Sequence, residues 1–277
     1  MNPLITAAWL KDRLGAPDIR VADASWYLPE AGRDARAEYA AAHIPGAVFF
    51  DIDALSDETS PWPHMLAPPA KFAAAMGALG LGDDATIVVC DGAGLYASPR
   101  AWWMLRAMGH ANVFVLDGGL PAWKRDGLPV DDAPAAPRPA VFTARPDRSI
   151  VRDFADVMEI VRSGSAQIVD ARSAPRFHAR APEPRSGVRG GHMPGAVNLP
   201  YTQFTAPDGT LKSPEALRAL FAGCVNLASA VVTTCGSGVT AAIAMLALEV
   251  AGAGAVALYD GSWAEWGARP EAPVVTD

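Results

Sequence analysis

The sequence predicts two copies of one α/β domain, each a central parallel sheet flanked by helices. Three observations carry that prediction. Landmarks recur in the same order in the two halves of the 277-residue chain. Short β-branched runs alternate with helix-like segments in each half, which is the pattern of a parallel sheet covered on both faces. A proline-rich stretch separates the halves.

The landmarks come first. His43-Ile44-Pro45-Gly46-Ala47-Val48 returns as His192-Met193-Pro194-Gly195-Ala196-Val197, 149 residues later. Asp117-Gly118-Gly119-Leu120-Pro121-Ala122-Trp123 returns more loosely as Asp260-Gly261-Ser262-Trp263-Ala264-Glu265-Trp266, 143 residues later. A repeat of this length is a duplicated domain, because solenoid units are only about 20–50 residues long. The strand candidates correspond as well: Ile19–Ala22 with Gln167–Val169, Thr86–Cys90 with Ala230–Thr234, and Val113–Leu116 with Val256–Tyr259. Helical patterns such as Pro69–Leu79 and Pro214–Phe221 lie between them. From Asp131 to Arg148 the chain carries Pro134, Pro137, Pro139 and Pro146 among alanines. Proline removes hydrogen-bond donors and stiffens the chain, so this segment reads as a linker. The expected division is residues 1–133, a linker over 134–147, and 148–277.

Composition bounds the function. Hydrophobic residues make up 51% and charged residues 19% of the chain, so large buried cores are expected. A net charge of −7 argues against a nucleic-acid or anionic-membrane surface. No apolar run approaches the roughly 20 residues of a membrane span. The N-terminus lacks the charged and apolar regions of a signal peptide. Cys90, Cys224 and Cys235 are an odd number with no C-x-x-C pair. That speaks against a disulfide framework and a zinc site, and a reducing, cytoplasmic setting is expected.

One segment concentrates the chemistry. In Val231-Val232-Thr233-Thr234-Cys235-Gly236-Ser237-Gly238-Val239-Thr240 a β-branched run meets a cysteine, small residues follow, and an Ala-rich apolar segment continues to Val250. This reads as strand, tight loop and helix. Backbone N–H groups of such a loop can converge on the sulfur, and the helix N-terminus adds partial positive charge. Depressing a thiol pKa by about two units takes roughly 2.7 kcal/mol, whereas a helix terminus supplies only about 0.3–1 kcal/mol. Converging amides must supply the rest, and Gly236 and Gly238 would let the backbone curl around the sulfur. On local pattern alone a reactive thiol and a buried structural cysteine fit equally well. The matching strand of the first half runs into Asp91, with Cys90 inside it. Cys90 is therefore expected in the core, and only the second copy looks armed.

Other loop chemistries fail on residue type. A cysteine phosphatase needs an arginine six positions after the cysteine, and Ala241 stands there. A phosphate-binding P-loop needs Gly-Lys-Ser/Thr, which is absent. The G-x-S-x-G elbow fails because Cys235 and Val239 flank Ser237 at two positions.

The two His-x-Pro-Gly-Ala motifs, the Asp-Gly-Gly-x-x-x-Trp motif and the cysteine loop together resemble the tandem-rhodanese sulfurtransferases over nearly the whole chain. The loop Cys235-Gly236-Ser237-Gly238-Val239-Thr240 is similar to that of the 3-mercaptopyruvate branch of the family. The thiosulfate branch carries Arg and Lys where this chain has Gly236 and Ser237. Thiosulfate is a dianion and benefits from fixed cations at the sulfur, whereas mercaptopyruvate has one carboxylate remote from its thiol.

The resemblance implies the remaining site residues. Arg176 and Arg185 match arginines that hold the substrate carboxylate and keto oxygen. They follow the first strand of the second half, at a strand C-terminus where α/β folds bind ligands, and arginine suits a bidentate grip on a carboxylate. A solvated loop is the bland alternative. Arg172, Arg180 and Arg189 match no ligand position and read as structural or surface residues. Ser237, His64 and Asp53 match a proposed Ser/His/Asp constellation that could move a proton between substrate sulfur and the pyruvate enolate. Asp51 and Asp57 compete with Asp53, and His64 would reach Ser237 from the other domain. His43 and His192 occur in both copies, so a turn-stabilising role is expected. Trp102, Trp103, Trp123, Trp263 and Trp266 are expected in the core, and Gly118, Gly119 and Gly261 in turns.

The reaction implied is transfer of sulfur from 3-mercaptopyruvate through a Cys235 persulfide to a thiol, thioredoxin or cyanide, with release of pyruvate and no metal or organic cofactor. Thiosulfate:cyanide sulfurtransfer is the first alternative. A non-catalytic sulfur carrier or partner-binding module is the second.

Overall fold

The computed structural model describes residues 2–276. The chain folds into two compact units with the same element order. In the first, β1 (Leu4–Ile5), α1 (Ala7–Lys11), β2 (Ile19–Asp23), α2 (Ala35–Ala41), β3 (Val48–Phe49), α3 (Pro69–Ala78), β4 (Thr86–Cys90), α4 (Ser98–Ala107), β5 (Val113–Leu116) and α5 (Gly119–Arg125) follow one another. In the second come β6 (Val151–Arg152), α6 (Phe154–Ser163), β7 (Gln167–Asp170), α7 (Ala174–Phe177), β8 (Ala196–Asn198), α8 (Pro214–Phe221), β9 (Val231–Thr234), α9 (Ala241–Ala251), β10 (Val256–Tyr259) and α10 (Ser262–Trp266). Each unit holds a five-stranded sheet, ordered β1-β5-β4-β2-β3 in one and β6-β10-β9-β7-β8 in the other. All pairings are parallel. The expected α/β class, two parallel sheets flanked by helices, is therefore what the chain adopts. Edge strands of two or three residues were not predicted, because so short a run has no readable period.

Central strands β4 and β9 are buried almost throughout, as strands covered on both faces must be. In α9, Ala241, Ala242, Ala244 and Ala247 are fully buried. Their small side chains let this helix lie close in the core, where a stripe of polar residues has no place. The five tryptophans expected in the core are all buried. The two motif histidines do the same job: His43 exchanges backbone hydrogen bonds with Asp131, and His192 with Val275. Each also sets Nδ1 against a carbonyl, Tyr39 at 2.7 Å and Phe177 at 3.0 Å.

The division of the chain differs from expectation in two ways. First, residues 134–147 are no free linker. Ala140 donates to Gly77, Asp83 to Val141, Arg145 to Met108 and Asp147 to Ala107, so the proline-rich strap is tied along the first unit and the units divide after Asp147. Proline blocks sheet pairing but leaves neighbouring amides and carbonyls able to bond. Second, the units exchange short segments. The first takes the chain up to Asp57, Leu66–Asp147 and Thr205–Leu211; the second takes Glu58–Met65, Arg148–Phe204 and the chain from Lys212 onward. Both exchanged segments lie within short antiparallel bridges, Ser56 with Leu66 and Thr205 with Leu211. Among the described residues no helix is long and apolar enough to cross a membrane.

Candidate active site

The second unit builds the site at the end of β9. Cys235 is 2% exposed. Its backbone is held on both sides: its N–H donates to Ser262 Oγ at 3.3 Å and its carbonyl accepts from Trp263 N–H at 2.9 Å. Gly236 C=O accepts from Ala264 N–H at 2.8 Å. The first turn of α10 thus draws the first two loop carbonyls outward. Gly238 turns the chain at φ +82°, a conformation open to glycine without penalty, and Val239 and Thr240 lead into α9. Among the described residues the N–H groups of Ser237, Thr240 and Ala241 have no protein acceptor.

Ser262 itself sits at φ +49° and is fully buried. A non-glycine residue in this region carries roughly 1–3 kcal/mol of strain. Its hydroxyl donates to Tyr259 C=O at 2.9 Å while accepting the Cys235 amide.

Ser237 Oγ lies 2.9 Å from His64 Nδ1, and both residues are buried. His64 was expected to reach this site from the other domain. Its segment Glu58–Met65 clusters with the cysteine loop in one compact unit, while the chain on either side of that segment belongs to the first. His64 also takes a positive φ, +60°, so a tight turn presents the ring. Asp53 lies in the first unit, where its Oδ2 accepts Trp26 Nε1–H at 3.0 Å. Of its rivals, Asp51 is engaged by Arg36 at 2.7 Å and by the Ala54 amide at 3.1 Å.

Arg176, on α7, turns its guanidinium toward the loop. A Cβ built on Gly236 would stand 3.1 Å from Arg176 Nη2, so glycine at 236 is what gives the guanidinium room. Glu183 accepts from Arg176 Nη2 at 2.5 Å and from Arg172 Nη1 at 2.9 Å. Arg172 is fully buried over the Trp263 ring, 4.1 Å from its centroid, and bonds both oxygens of Asp170. Burial works against its charge, but Asp170 and Glu183 outweigh that and hold its pKa above the ordinary arginine value. Arg185 is half-buried in the bend just beyond Glu183. Arg189 is structural, spending its guanidinium on the carbonyls of Trp266, Gly267, Arg269 and Ala272.

The first unit carries the matching loop after β4, and there Asp91 holds the position of Cys235. Its Oδ1 accepts from Ala93 N–H at 2.8 Å. Its Oδ2 accepts from the N–H groups of Tyr96, Ala97 and Ser98 at 2.8–2.9 Å and from the Ser98 hydroxyl at 2.7 Å. Cys90, one residue earlier, is fully buried, and burial together with Asp23 and Asp91 pushes its thiol pKa well up.

Sequence reading alone overlooked Glu183, Ser262 and the cradle around Asp91. Ser262 left one trace, since it stands opposite Gly119 of the first copy. Gly119 takes φ +53°, and a Cβ there would meet the carbonyls of Asp91 and Gly94 at 2.5 Å. A serine opposite an obligatory glycine marks a position where side-chain chemistry outweighs backbone comfort.

A model of the Rhodanese-like domain matches residues 6–126 and 153–269. The chain belongs to the rhodanese family. It is 47% identical to the 3-mercaptopyruvate sulfurtransferase of Homo sapiens over 97% of this chain and 93% of that protein. The 3-mercaptopyruvate sulfurtransferase of Escherichia coli K12 is 44% identical over 98% and 96%. The thiosulfate sulfurtransferase of Bos taurus is also 44% identical, over 95% and 91%. Among solved structures, that of the 3-mercaptopyruvate sulfotransferase SseA from Escherichia coli aligns with a TM-score of 0.87 at 42% identity, covering 95% of this chain and 99% of that one. The Tum1 protein of Saccharomyces cerevisiae aligns with a TM-score of 0.91 at 32% identity, over 99% and 98%. Both branches of the family are matched almost equally along the whole chain, so donor preference must be read from the loop.

Proposed function

We propose that this protein is a 3-mercaptopyruvate sulfurtransferase working through a persulfide on Cys235. The observation that carries the reading is Ser237 in an uncharged cysteine loop, 2.9 Å from His64. Thiosulfate chemistry would favour cations at positions 236 and 237; proton-transfer chemistry needs a hydroxyl and an imidazole there.

In the first half-reaction Cys235, as thiolate, attacks the sulfur of 3-mercaptopyruvate. The new S–S bond forms as the C–S bond breaks, and its electron pair leaves as the enolate of pyruvate. The proton from the substrate thiol passes through Ser237 and His64 to the enolate carbon, so pyruvate departs and Cys235 holds a persulfide anion. Arg176 and Arg185 grip the carboxylate and keto oxygen. The loop amides of Ser237, Thr240 and Ala241 stabilise the anion on sulfur, first thiolate and then persulfide. In the second half-reaction an acceptor thiol, such as that of thioredoxin, attacks the outer sulfur and restores the Cys235 thiolate.

Mass spectrometry after addition of 3-mercaptopyruvate tests the reading. The expected result is a gain of one sulfur atom on the peptide bearing Cys235, lost on treatment with a thiol. A Cys235→Ser chain that still releases pyruvate would refute it. The thiosulfate reading keeps one specific support, the 44% identity to a thiosulfate sulfurtransferase. A higher kcat/KM for thiosulfate than for 3-mercaptopyruvate would select it.

A further inference from the structure

α10 is only five residues long, and its two ends hold different things. At its start, Ser262 Oγ accepts the Cys235 amide, and the Trp263 and Ala264 N–H groups donate to the carbonyls of Cys235 and Gly236. Near its end, Glu265 turns a carboxylate that is 7% exposed toward Arg269, one turn on. Glu265 Oε1 accepts from Arg269 Nε at 3.0 Å and Nη2 at 2.8 Å, and Oε2 accepts the Tyr259 hydroxyl at 2.9 Å. Gly261 makes room for that carboxylate, since a Cβ there would run into Oε2. The guanidinium so aimed lies 4.2 Å from the ring centroid of Phe154, at the start of α6, and 6.0 Å from that of Trp62. Trp62 stands between Pro61 and Pro63, two residues before His64. Proline fixes φ, so a seated indole passes its position to the imidazole with little slack. His64 needs such support: a non-glycine residue keeps a φ of +60° only where its surroundings over-determine it, and its ring must stay 2.9 Å from Ser237 Oγ.

The first copy lacks this chain of contacts. Where the second has Tyr259, Glu265 and Arg269, the first has Leu116, Ala122 and Asp126, 143 residues earlier. With alanine for Glu265 and an acid for Arg269 no such pair can form, yet α5 folds in the same place. The fold does not require the pair; it accompanies the reactive loop. We infer that Arg269, aimed by Glu265, is a positioning residue for His64: it seats Trp62, so that α10 fixes the cysteine loop with one end and the imidazole with the other. A cation over an indole face is attractive within about 6 Å of the centroid, and a planar guanidinium stacks there as an ammonium does not. The inference rests on the reading of His64 as the proton carrier to the pyruvate enolate.

Trp62→Leu removes the ring and leaves the pair of Glu265 and Arg269 intact. Its kcat for pyruvate release from 3-mercaptopyruvate should fall about tenfold, with KM held within about twofold because Arg176 and Arg185 are untouched. Trp62→Phe keeps an aromatic face and should recover most of the loss. Arg269→Lys keeps the charge but not the planar fork, and its kcat should fall about as far as that of Trp62→Leu. The decisive measurement repeats Trp62→Leu in a His64→Asn background, where kcat should fall no further, because the effect runs through the imidazole. If Trp62→Leu does not fold, Arg269→Lys takes its place in the same comparison. An equal fall in both backgrounds overturns the inference, as does native kcat in folded Trp62→Leu or Arg269→Lys, or a Trp62→Phe protein no faster than Trp62→Leu. Native kcat in His64→Asn alone is a separate failure: it removes the reading of His64 itself.

Discussion

The loop after β4 and the loop after β9 occupy equivalent places in two copies of one fold, yet they end in different chemistry. In the first, a buried carboxylate accepts four backbone amides and a serine hydroxyl. In the second the residue at that place is Cys235, and the matching amides of Ser237, Thr240 and Ala241 have no protein acceptor among the described residues. A left-handed glycine sits at the same point of both, Gly94 at φ +106° and Gly238 at +82°. The first copy shows what this loop is built to hold, an anion at its centre. It has supplied one permanently from its own chain, and the second can supply one only through sulfur. The surroundings diverge in the same sense. The aspartate closing β7 has Arg172 two residues on, and the aspartate closing β2 has Ser25 there. With no arginine there, burial raises the pKa of Asp23 to about 6, and the Ser25 hydrogen bonds and the nearby His43 only partly oppose it.

The largest test exchanges the two solutions. Cys235→Asp should remove sulfurtransfer by at least about 10⁴-fold while filling the cradle as Asp91 does. Its melting temperature should match or exceed that of the native protein. A loss of several degrees would show that the second loop is not shaped for an anion. The reverse deletion, Asp91→Ala, strands four amides in a buried turn and should destabilise the first unit by about 3–5 kcal/mol, read by denaturant unfolding. An effect below about 1 kcal/mol would mean that the carboxylate is not what holds that loop.

Asp23 gives a pH signature. The unfolded chain loses this proton near the ordinary value of 3.8 and the folded one only near 6. Stability from this group is therefore complete below 3.8, falls as pH rises between the two values and is gone above about 6. Over that interval the loss is about 3 kcal/mol. Asp23→Asn, which keeps an acceptor for Ser25, should be flat over the same interval and more stable than the native protein at pH 8. Stability curves at pH 4.5 and 8 check the sign; a native protein that gains stability through this window in a manner dependent on Asp23 would contradict it.

The smallest effect concerns Ser262 and its glycine counterpart. Ser262→Gly relieves a left-handed backbone but removes the hydroxyl from the Cys235 amide. Stability should stay level or rise by up to about 1 kcal/mol, while kcat falls roughly tenfold with little change in KM. A parallel fall in stability and activity would assign Ser262 a purely structural role.

Several of these features are legible in the sequence and several are not, for a consistent reason. The strands Thr86–Cys90 and Val256–Tyr259 and the helix Pro214–Phe221 stand where β-branched runs and proline-led helical patterns place them. The cysteine loop is legible because glycine spacing and the strand before it are local. Ser237 and His64 were paired only through family resemblance; their 2.9 Å approach joins residues 173 apart, which no spacing rule anticipates. Nor does adjacency in sequence say that residues 58–65 leave the first unit while their neighbours remain. Glu183 looks like any surface acid in a polar loop until Arg172 and Arg176 close on it from both sides.

By itself the sequence determined the duplication, the parallel α/β class and the position of the one cysteine loop, because period, β-branching, glycine and proline act within a few residues of themselves. Only the tertiary structure decided which loop already holds an anion, which segments the units exchange and which arginines are neutralised. Those outcomes depend on buried charges finding partners, and a buried charge takes whichever partner the fold brings within about 3 Å, however far away it lies in the chain.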